Sequence, residues 1–405
     1  MRKKKCRNCK TLNVEKVFEL GKFKFTGKFP KKNEKIESGV LGLDFCQKCN
    51  LVQLSNSFNQ RSLFSKDYGY KTGLNQTMTN HMRSIHDIIV KKVPMSKNDQ
   101  ILDIACNDGT LLNMYNKKFK TFGIDPVSAK YKSNFKNINH IIFDFFSSKK
   151  IKNFTKKKFK IITALSVFYD LDDPNKFLKD IYEILDNEGI CLIEHADLLS
   201  IIQKNMFDTI CHEHVAYYST RIMQQIALKN NLKLIDVVHN DVNGGSMQYF
   251  LTKRSSKLKI NVSRIRRFLD KEKKYRLHKI YSIKAFFERI NVIKENLKNY
   301  LINENSKKRK IYVYGASTKG NVLLQYFGLN NKIISAAVER NPQKFGRYTP
   351  GSKIPIISET KARKNPPDMF LVLPWHFKKE ILNREKALIR KGVNFLFPLP
   401  KLEIY

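Results

Sequence analysis

Residues 100–126 read QILDIACNDGTLLNMYNKKFKTFGIDP, and the reading of this stretch decides the fold. Ile101 to Ala105 is a short apolar run of the kind buried on both faces of a parallel sheet. A tight turn follows, Cys106-Asn107-Asp108-Gly109, and a helix is expected to open at Thr110. A second strand, Lys120 to Ile124, ends on Asp125. Strand, small-residue turn, helix, strand and terminal acid make half of a doubly wound α/β nucleotide site. Small residues let backbone N–H groups approach a ligand, and an acid at the next strand end accepts hydrogen bonds from ribose hydroxyls. The turn holds a single glycine, so it is a poor match to the phosphate-cradling dinucleotide fingerprint.

The same alternation continues through residues 99–252. Strands are expected at 101–105, 120–124, 140–143, 160–165, 189–194, 233–238 and 246–252. Asp173-Pro174 is an N-cap followed by proline at the first helical position, and Phe177, Ile181, Ile184 and Leu185 share one face of that helix. Gly244-Gly245 precedes an alternating strand, as a closing hairpin requires. Upstream, residues 59–98 form a helical connector: from Thr77 the spacing Met78, Met82, Ile85, Ile88, Ile89 suits an amphipathic helix. The aromatic DYGYKTG segment before it makes Tyr68 and Tyr70 candidates for substrate contact. Downstream, residues 253–308 are basic with helical spacing from Val262 through Leu301, and read as a helical bridge with a solvated charged face. Residues 309–405 begin a second Rossmann-like unit: KIYVYGASTKG is a strand, a turn and a helix starting near Asn321, and SAAVERNPQKFG and FLVLPWHF supply further strands. Its lone Gly-Ala-Ser turn does not assign a dinucleotide.

At the other end, residues 1–58 carry Cys6-x2-Cys9 and Cys46-x2-Cys49. Each pair can bite one metal ion, and four thiolates make the closed tetrahedral site of structural zinc. The remaining cysteines, Cys106, Cys191 and Cys211, are scattered through the α/β region, which fits a reducing compartment with one metal site. The 405 residues suggest two or three domains, and 42% hydrophobic content supports real cores. No apolar run reaches the ~18 residues of a membrane span, and the basic N-terminus lacks the apolar region of a signal peptide, so a cytoplasmic protein is expected. The formal charge of +40 would attract polyanions. A zinc-containing nucleic-acid-binding protein or RNA methyltransferase is therefore the alternative reading. Against nucleic acid, lysine is spread along the whole chain and no basic-aromatic RNA motif appears. The same surface suits an anionic small substrate.

The run that most suggests chemistry is DTICHEHVAYY, Asp208 to Tyr218. Histidine is the usual general base near neutral pH, glutamate can orient an imidazole or a hydroxyl, and tyrosine can hydrogen-bond a carbonyl oxygen. His212 and His214 alternate, as in an extended segment where both share a side, and lack the helical i, i+4 spacing of a metal pair.

The chain as a whole resembles the class I S-adenosylmethionine (SAM)-dependent sugar C-methyltransferases, which act on nucleotide-linked 4-keto-deoxysugars. LDIACNDGTLL is similar to their LEIGxNDGxLL motif, and DTICHEHVAYYS to their (Y/F)DTIxHEHxxYYS box. VYGASTKGNVLLQY, ERNPQKFGRYTPGS, IPI and LVLPWHF resemble their C-terminal domain in order. Departures are Ala105 where the family usually has glycine, Cys211 where some members carry tyrosine and Tyr169 where some have histidine. The resemblance implies a seven-stranded Rossmann-like methyltransferase domain between an N-terminal zinc-binding domain and a C-terminal Rossmann-like domain. It implies SAM and zinc bound to Cys6, Cys9, Cys46 and Cys49. Asp103 and Ala105 join the expected SAM contacts, Asn107 and Gly109 line the methionine side, Asp125 binds the ribose, and Asp144 and Phe145 flank the adenine. His214 is the expected base, Glu213 its orienting partner or a hydroxyl contact, and Tyr169, Tyr217 and His212 the further catalytic candidates.

Overall fold

A computed structural model of the chain describes residues 5–64 and 70–405; Tyr68 lies outside them. The cysteine-rich region folds around β1 (Val14–Lys24), β2 (Ser38–Cys46) and β3 (Val52–Leu54), which run antiparallel. The central region supplies β4 (Gln100–Ile104), β5 (Lys120–Ile124), β6 (His140–Ile142), β7 (Phe159–Leu165), β8 (Leu185–Ala196), the short β9 (Ala216–Tyr217), β10 (Leu232–Asn240) and β11 (Ser246–Lys253). Seven of these form one sheet in the order β10-β11-β8-β7-β4-β5-β6. The strands β4 to β8 are parallel, and β11 is antiparallel to both its neighbours. This is the class I methyltransferase sheet, and its strands are the seven that the sequence pattern predicts. They are legible because the parallel strands are mostly apolar and buried: all five residues of β4 lie inside, Gln100 and Asp103 among them, whereas β5 and β6 each begin on one exposed polar residue, Lys120 and His140. The chain steps outward from β4 to β5 and β6, then returns to lay β7 against the other side of β4. That reversal opens a crevice beyond the carboxyl ends of β4 and β7.

The strand β9 does not belong to this sheet. Its residues pair with β3, Val52 opposite Tyr217 and Gln53 opposite Ala216, so a segment of the central region completes the cysteine-rich sheet. The C-terminal region forms a third sheet from β12 (Ile311–Tyr314), β13 (Ala336–Glu339), β14 (Ile356–Ser358), β15 (Met369–Val372), β16 (Asn394–Phe397) and β17 (Glu403–Ile404). Its order is β14-β13-β12-β15-β16-β17, parallel except for the last strand.

Among the helices, Gln76–Lys92 is the one the connector's spacing predicts; Asn75 caps it, and Met78, Met82, Ile85 and Ile89 are buried. The helix expected at Thr110 shrinks to a single 3-10 turn, Leu112–Met114. Leu111, Leu112 and Tyr115 all turn inward, and only 116–119 remain for the return to β5. The bridge read as solvated is two helices, Val262–Lys274 and Ile280–Ser306, and it is more than a solvated face. The long helix buries Ile283, Phe286, Phe287, Ile290, Leu297 and Leu301, and Phe287 stacks on Phe18 of β1 with ring centroids 3.7 Å apart. A continuous apolar core therefore runs from Leu43 and Phe45 of β2 through Phe207 and the long helix to Val313, Leu371 and Phe395 of the third sheet. Among the described residues, no helix is long and apolar enough to cross a membrane.

Candidate active site

At the crevice, the backbone passes through the left-handed region at Ala105 after β4 (φ 61°) and at Ser166 after β7 (φ 55°). Asn107 (φ 50°) and Gly109 (φ 75°) continue the first of these turns. The positive φ favours glycine at Gly109, and a Cβ there would also crowd Ile138 Cδ1 at 2.8 Å and the Phe135 ring at 3.0 Å. Asp125 at the end of β5 ties the turn down, accepting from the backbone N–H of Asn107 (2.9 Å) and of Val127 (2.7 Å). Burial raises its pKa, and those two donors pull it back. A carboxylate has about four acceptor positions, so Asp125 could also accept from the hydroxyls of a ligand. Asp103 lies buried on β4 and accepts from the Thr163 hydroxyl (2.6 Å); burial pushes it up to about 7. Asp144 and Phe145 follow β6, with Asp144 paired to Lys150 at 2.6 Å. Tyr70 and its neighbours cross the same turn. Asn107 Oδ1 accepts from Thr72 N (3.0 Å), Asn107 Nδ2 donates to Tyr70 O (3.2 Å), and Gly73 N donates to Asp108 Oδ2 (2.9 Å).

The segment from Asp208 to Tyr218 is built differently from the extended run expected. Phe207–Thr209 is a 3-10 turn, the chain bends at His212 and Glu213, and ladder pairing begins only at β9, where β3 offers an edge. His212 and His214 consequently serve different surroundings. His212 is fully buried in the cysteine-rich sheet, its Nε2 3.3 Å from Gly39 O and its ring 4.7 Å from Phe25 and 4.8 Å from Phe58. His214 is half-buried, with its ring centroid 3.9 Å from that of Tyr169. Its Nδ1 lies 2.7 Å from Thr209 O and 3.2 Å from Thr209 Oγ1. A carbonyl oxygen only accepts, so Nδ1 carries the proton and Nε2 keeps a free lone pair. Lost hydration, and then the charge of Lys319, push the ring down to about 3, so it is neutral at physiological pH.

Glu213 therefore does not orient His214; the Thr209 carbonyl does. The glutamate is buried against Gly27, where an added Cβ would lie 2.6 Å from Glu213 Oε1, and its neighbours include Cys211 and Thr26. Burial raises its pKa. Tyr217 lies on β9 with its ring buried. The third sheet closes the site: Trp375 Nε1 donates to Asp208 Oδ2 (2.9 Å), and Lys319 Nζ donates to Asn243 O (3.0 Å). Several buried polar atoms around this junction lack a protein partner among the described residues: Asp208 Oδ1, Glu213 Oε2, Tyr217 Oη, His195 Nε2 and His376 Nδ1. Sequence reasoning missed Thr209, Lys319, Trp375 and His376. Each stands within a quoted motif, but only folding brings the C-terminal ones to the central region.

The metal site is a separate centre. The four Sγ atoms of Cys6, Cys9, Cys46 and Cys49 lie within 4.8 Å of one another, with Cys6–Cys49 at 3.5 Å and Cys9–Cys46 at 3.6 Å. A tetrahedral Zn–S site has S···S separations of about 3.8 Å, so the set fits zinc. The crowding favours a thiolate on Cys46, which accepts from Cys49 and Cys6, and raises those two. Between the first two cysteines, Arg7 is fully buried; it donates to Leu54 O (2.7 Å) and pairs with Asp172 (3.1 Å) ahead of the Pro174–Ile184 helix. The metal knuckle is thereby fastened to the methyltransferase sheet.

Three domain families match the chain. A zinc binding domain covers residues 6–64, a methyltransferase domain residues 78–237 and a C-methyltransferase C-terminal domain residues 241–400. The C-methyltransferase NovU of Streptomyces niveus is 24% identical over 359 residues, 88% of this chain and 85% of that protein. The tRNA U34 carboxymethyltransferase of Sulfurimonas denitrificans is 32% identical over 105 residues, 24% of this chain and 35% of that protein. Among solved structures, the plantazolicin methyltransferase BamL, in complex with a triazolic desmethylPZN analog and SAH, is 14% identical. That match covers 44% of this chain and 86% of that one, at a TM-score of 0.36. A SAM-dependent methyltransferase from Clostridium acetobutylicum is 13% identical and covers 43% of this chain and 89% of that one, at a TM-score of 0.32.

Proposed function

We propose an acceptor and a chemistry for this chain, which is a SAM-dependent C-methyltransferase with a structural zinc. It methylates the carbon beside the ketone of a nucleotide-linked keto-deoxysugar, by base-assisted enolate formation. The observation that carries this reading is His214: a neutral imidazole, its Nδ1 proton fixed on the Thr209 carbonyl, its Nε2 free. Carbon beside a ketone becomes nucleophilic only when it loses a proton, and a positioned neutral imidazole takes one. The C–H electron pair passes into the enolate and the proton to Nε2. SAM supplies an electrophilic methyl group; the enolate carbon bonds to it and the sulfur keeps the broken bond's electron pair.

A polyhydroxylated acceptor suits the polar atoms left over at this junction. Glu213 Oε2, Asp208 Oδ1 and Tyr217 Oη are buried without protein partners among the described residues, and sugar hydroxyls would satisfy them. Tyr169, against the His214 ring, stands ready for the keto or a hydroxyl oxygen. The +40 charge favours an acceptor that carries phosphates. For the cofactor we assign Asp125 to the ribose, Ala105, Asn107 and Gly109 to the methionine side, Asp144 and Phe145 to the adenine, and Asp103 to support beneath the turn. Tyr70 is assigned to closure over the acceptor. His212 is reassigned from catalysis to anchoring, because its ring lies between Phe25 and Phe58.

Mass spectrometry of methyl transfer to a panel of nucleotide-linked keto sugars tests the reading. The expected product carries one new methyl group on the carbon next to the ketone. Transfer only to non-sugar ketones, to oxygen, or to RNA would overturn it.

A further inference from the structure

The first turn of the Thr318–Phe327 helix sets a lysine of the C-terminal domain into the methyltransferase site. Ser317 caps that helix by accepting from Gly320 N (3.0 Å). Asn321 Nδ2 donates to Thr26 O (2.8 Å), and Thr318 Oγ1 approaches Gly27, the residue on which Glu213 rests. These contacts fix where Lys319 stands.

Its ammonium has three N–H donors, and one is used, on Asn243 O at 3.0 Å. Among the described residues it makes no other hydrogen bond and no ion pair. The side chain is half-buried, deep enough for lost hydration to lower its pKa, and Asp208 and Cys211 in turn favour its charge. Its field reaches both His214 and His376. Beside it, Asp208 Oδ1 and His376 Nδ1 lack protein partners among the described residues. A cation held out of bulk water with unused donors, next to unpaired polar atoms, is arranged for an oxygen that the protein does not itself supply.

We propose that Lys319 is a catalytic residue whose ammonium holds the acceptor's carbonyl oxygen and carries the negative charge of its enolate. The inference rests on the enolate chemistry proposed above. The charged or titratable side chains whose fields reach the His214 ring are Lys319 and His195, and His195 is pushed down to about 4 by burial, so Lys319 brings the positive charge. As the α C–H bond breaks and Nε2 gains the proton, the carbonyl π pair moves onto oxygen, where Nζ–H donors meet it. When the enolate pair forms the new C–C bond the oxygen returns to a neutral carbonyl, and the S–CH3 pair stays on sulfur.

The test uses the full-length zinc-loaded enzyme, SAM, and a nucleotide-linked 4-keto-deoxysugar deuterated beside its ketone. Lys319→Met is expected to bind SAM like wild type, to wash out deuterium ~10²–10³-fold more slowly, the cost of one oxyanion donor, and to move the acid limb of kcat/KM to higher pH. That shift follows because the charge that depresses His214 is gone. Lys319→Arg keeps a cation and is expected to recover at least ten-fold over Lys319→Met, about one decade of that loss. A Lys319→Met enzyme that binds SAM and exchanges and methylates at the wild-type rate overturns the assignment while the enolate reading stands. So does Lys319→Arg failing as deeply as Lys319→Met while both bind SAM. Should Lys319→Met lose SAM binding, the arginine variant decides alone, by the presence or absence of exchange. A wild-type enzyme that methylates without washing out deuterium removes the enolate itself, and this assignment with it.

Discussion

At the scale of single residues, the site depends on where protons sit and where the backbone is strained. Lost hydration pushes His195 and His212 down to about 4, and His214 and His376 to about 3. A folded pKa below the ordinary ~6.5 means the neutral ring's contribution to stability is whole above ~6.5 and is lost progressively as pH falls from there to the folded value. Asp103, raised to about 7, works in the opposite sense over the same range, so global stability would mix the two. The clean readout is NMR of the imidazole carbons: these four rings should remain neutral from pH 8 to pH 5, and a midpoint near 6.5 for His214 would contradict its placement. Ala105 is the strained position, an alanine at φ 61° where the turn would accept glycine without cost. Ala105→Gly should therefore raise stability by about 0.5–1 kcal/mol despite glycine's greater unfolded-state freedom. A fall in thermal midpoint would mean the turn is not left-handed there.

At the scale of elements, the decisive joint is β9 on β3. It carries Ala216 and Tyr217 into the cysteine-rich sheet, and the residue before it is held there too, Leu54 N donating to Val215 O (2.9 Å), next to His214. Removing zinc by chelation, or by Cys46→Ser, should accordingly slow methyl transfer by at least ~10-fold, the lower end of what losing the support around a site costs, while SAM affinity stays within about twofold. Loss of SAM binding in step with zinc would show that the knuckle supports the whole chain and not this segment. The seven strands of the central sheet were legible because most carry an apolar or alternating pattern over four or more residues, and the three-residue β6 follows in step with its neighbours. The two residues of β9 have no period to read, and its partner lies far upstream, so the bend at His212 and Glu213 was out of reach. The bridge was legible as helix but not as buried, since its many lysines hide the stripe of Phe286, Phe287 and Ile290.

At the scale of the whole molecule, the domains share one core, and the proposed site lies where they meet. Its parts come from the methyltransferase domain (His214, Tyr169, Asp208), the zinc-binding domain (Gly27, Thr26) and the C-terminal domain (Lys319, Trp375, His376). The motifs themselves were legible one at a time. Their convergence was not, because nothing local in GASTKG or PWHF indicates which surface they will cover. On the proposed chemistry, His214 removes the proton beside the ketone at this junction. Deuterium wash-out from the acceptor's α-carbon measures that step ahead of methyl transfer. His214→Ala should leave SAM affinity nearly intact and slow both wash-out and methylation by ~10²–10⁴-fold, the usual cost of losing a general base. Wash-out at the wild-type rate in a His214→Ala enzyme that still binds SAM would contradict the claim and place the base elsewhere.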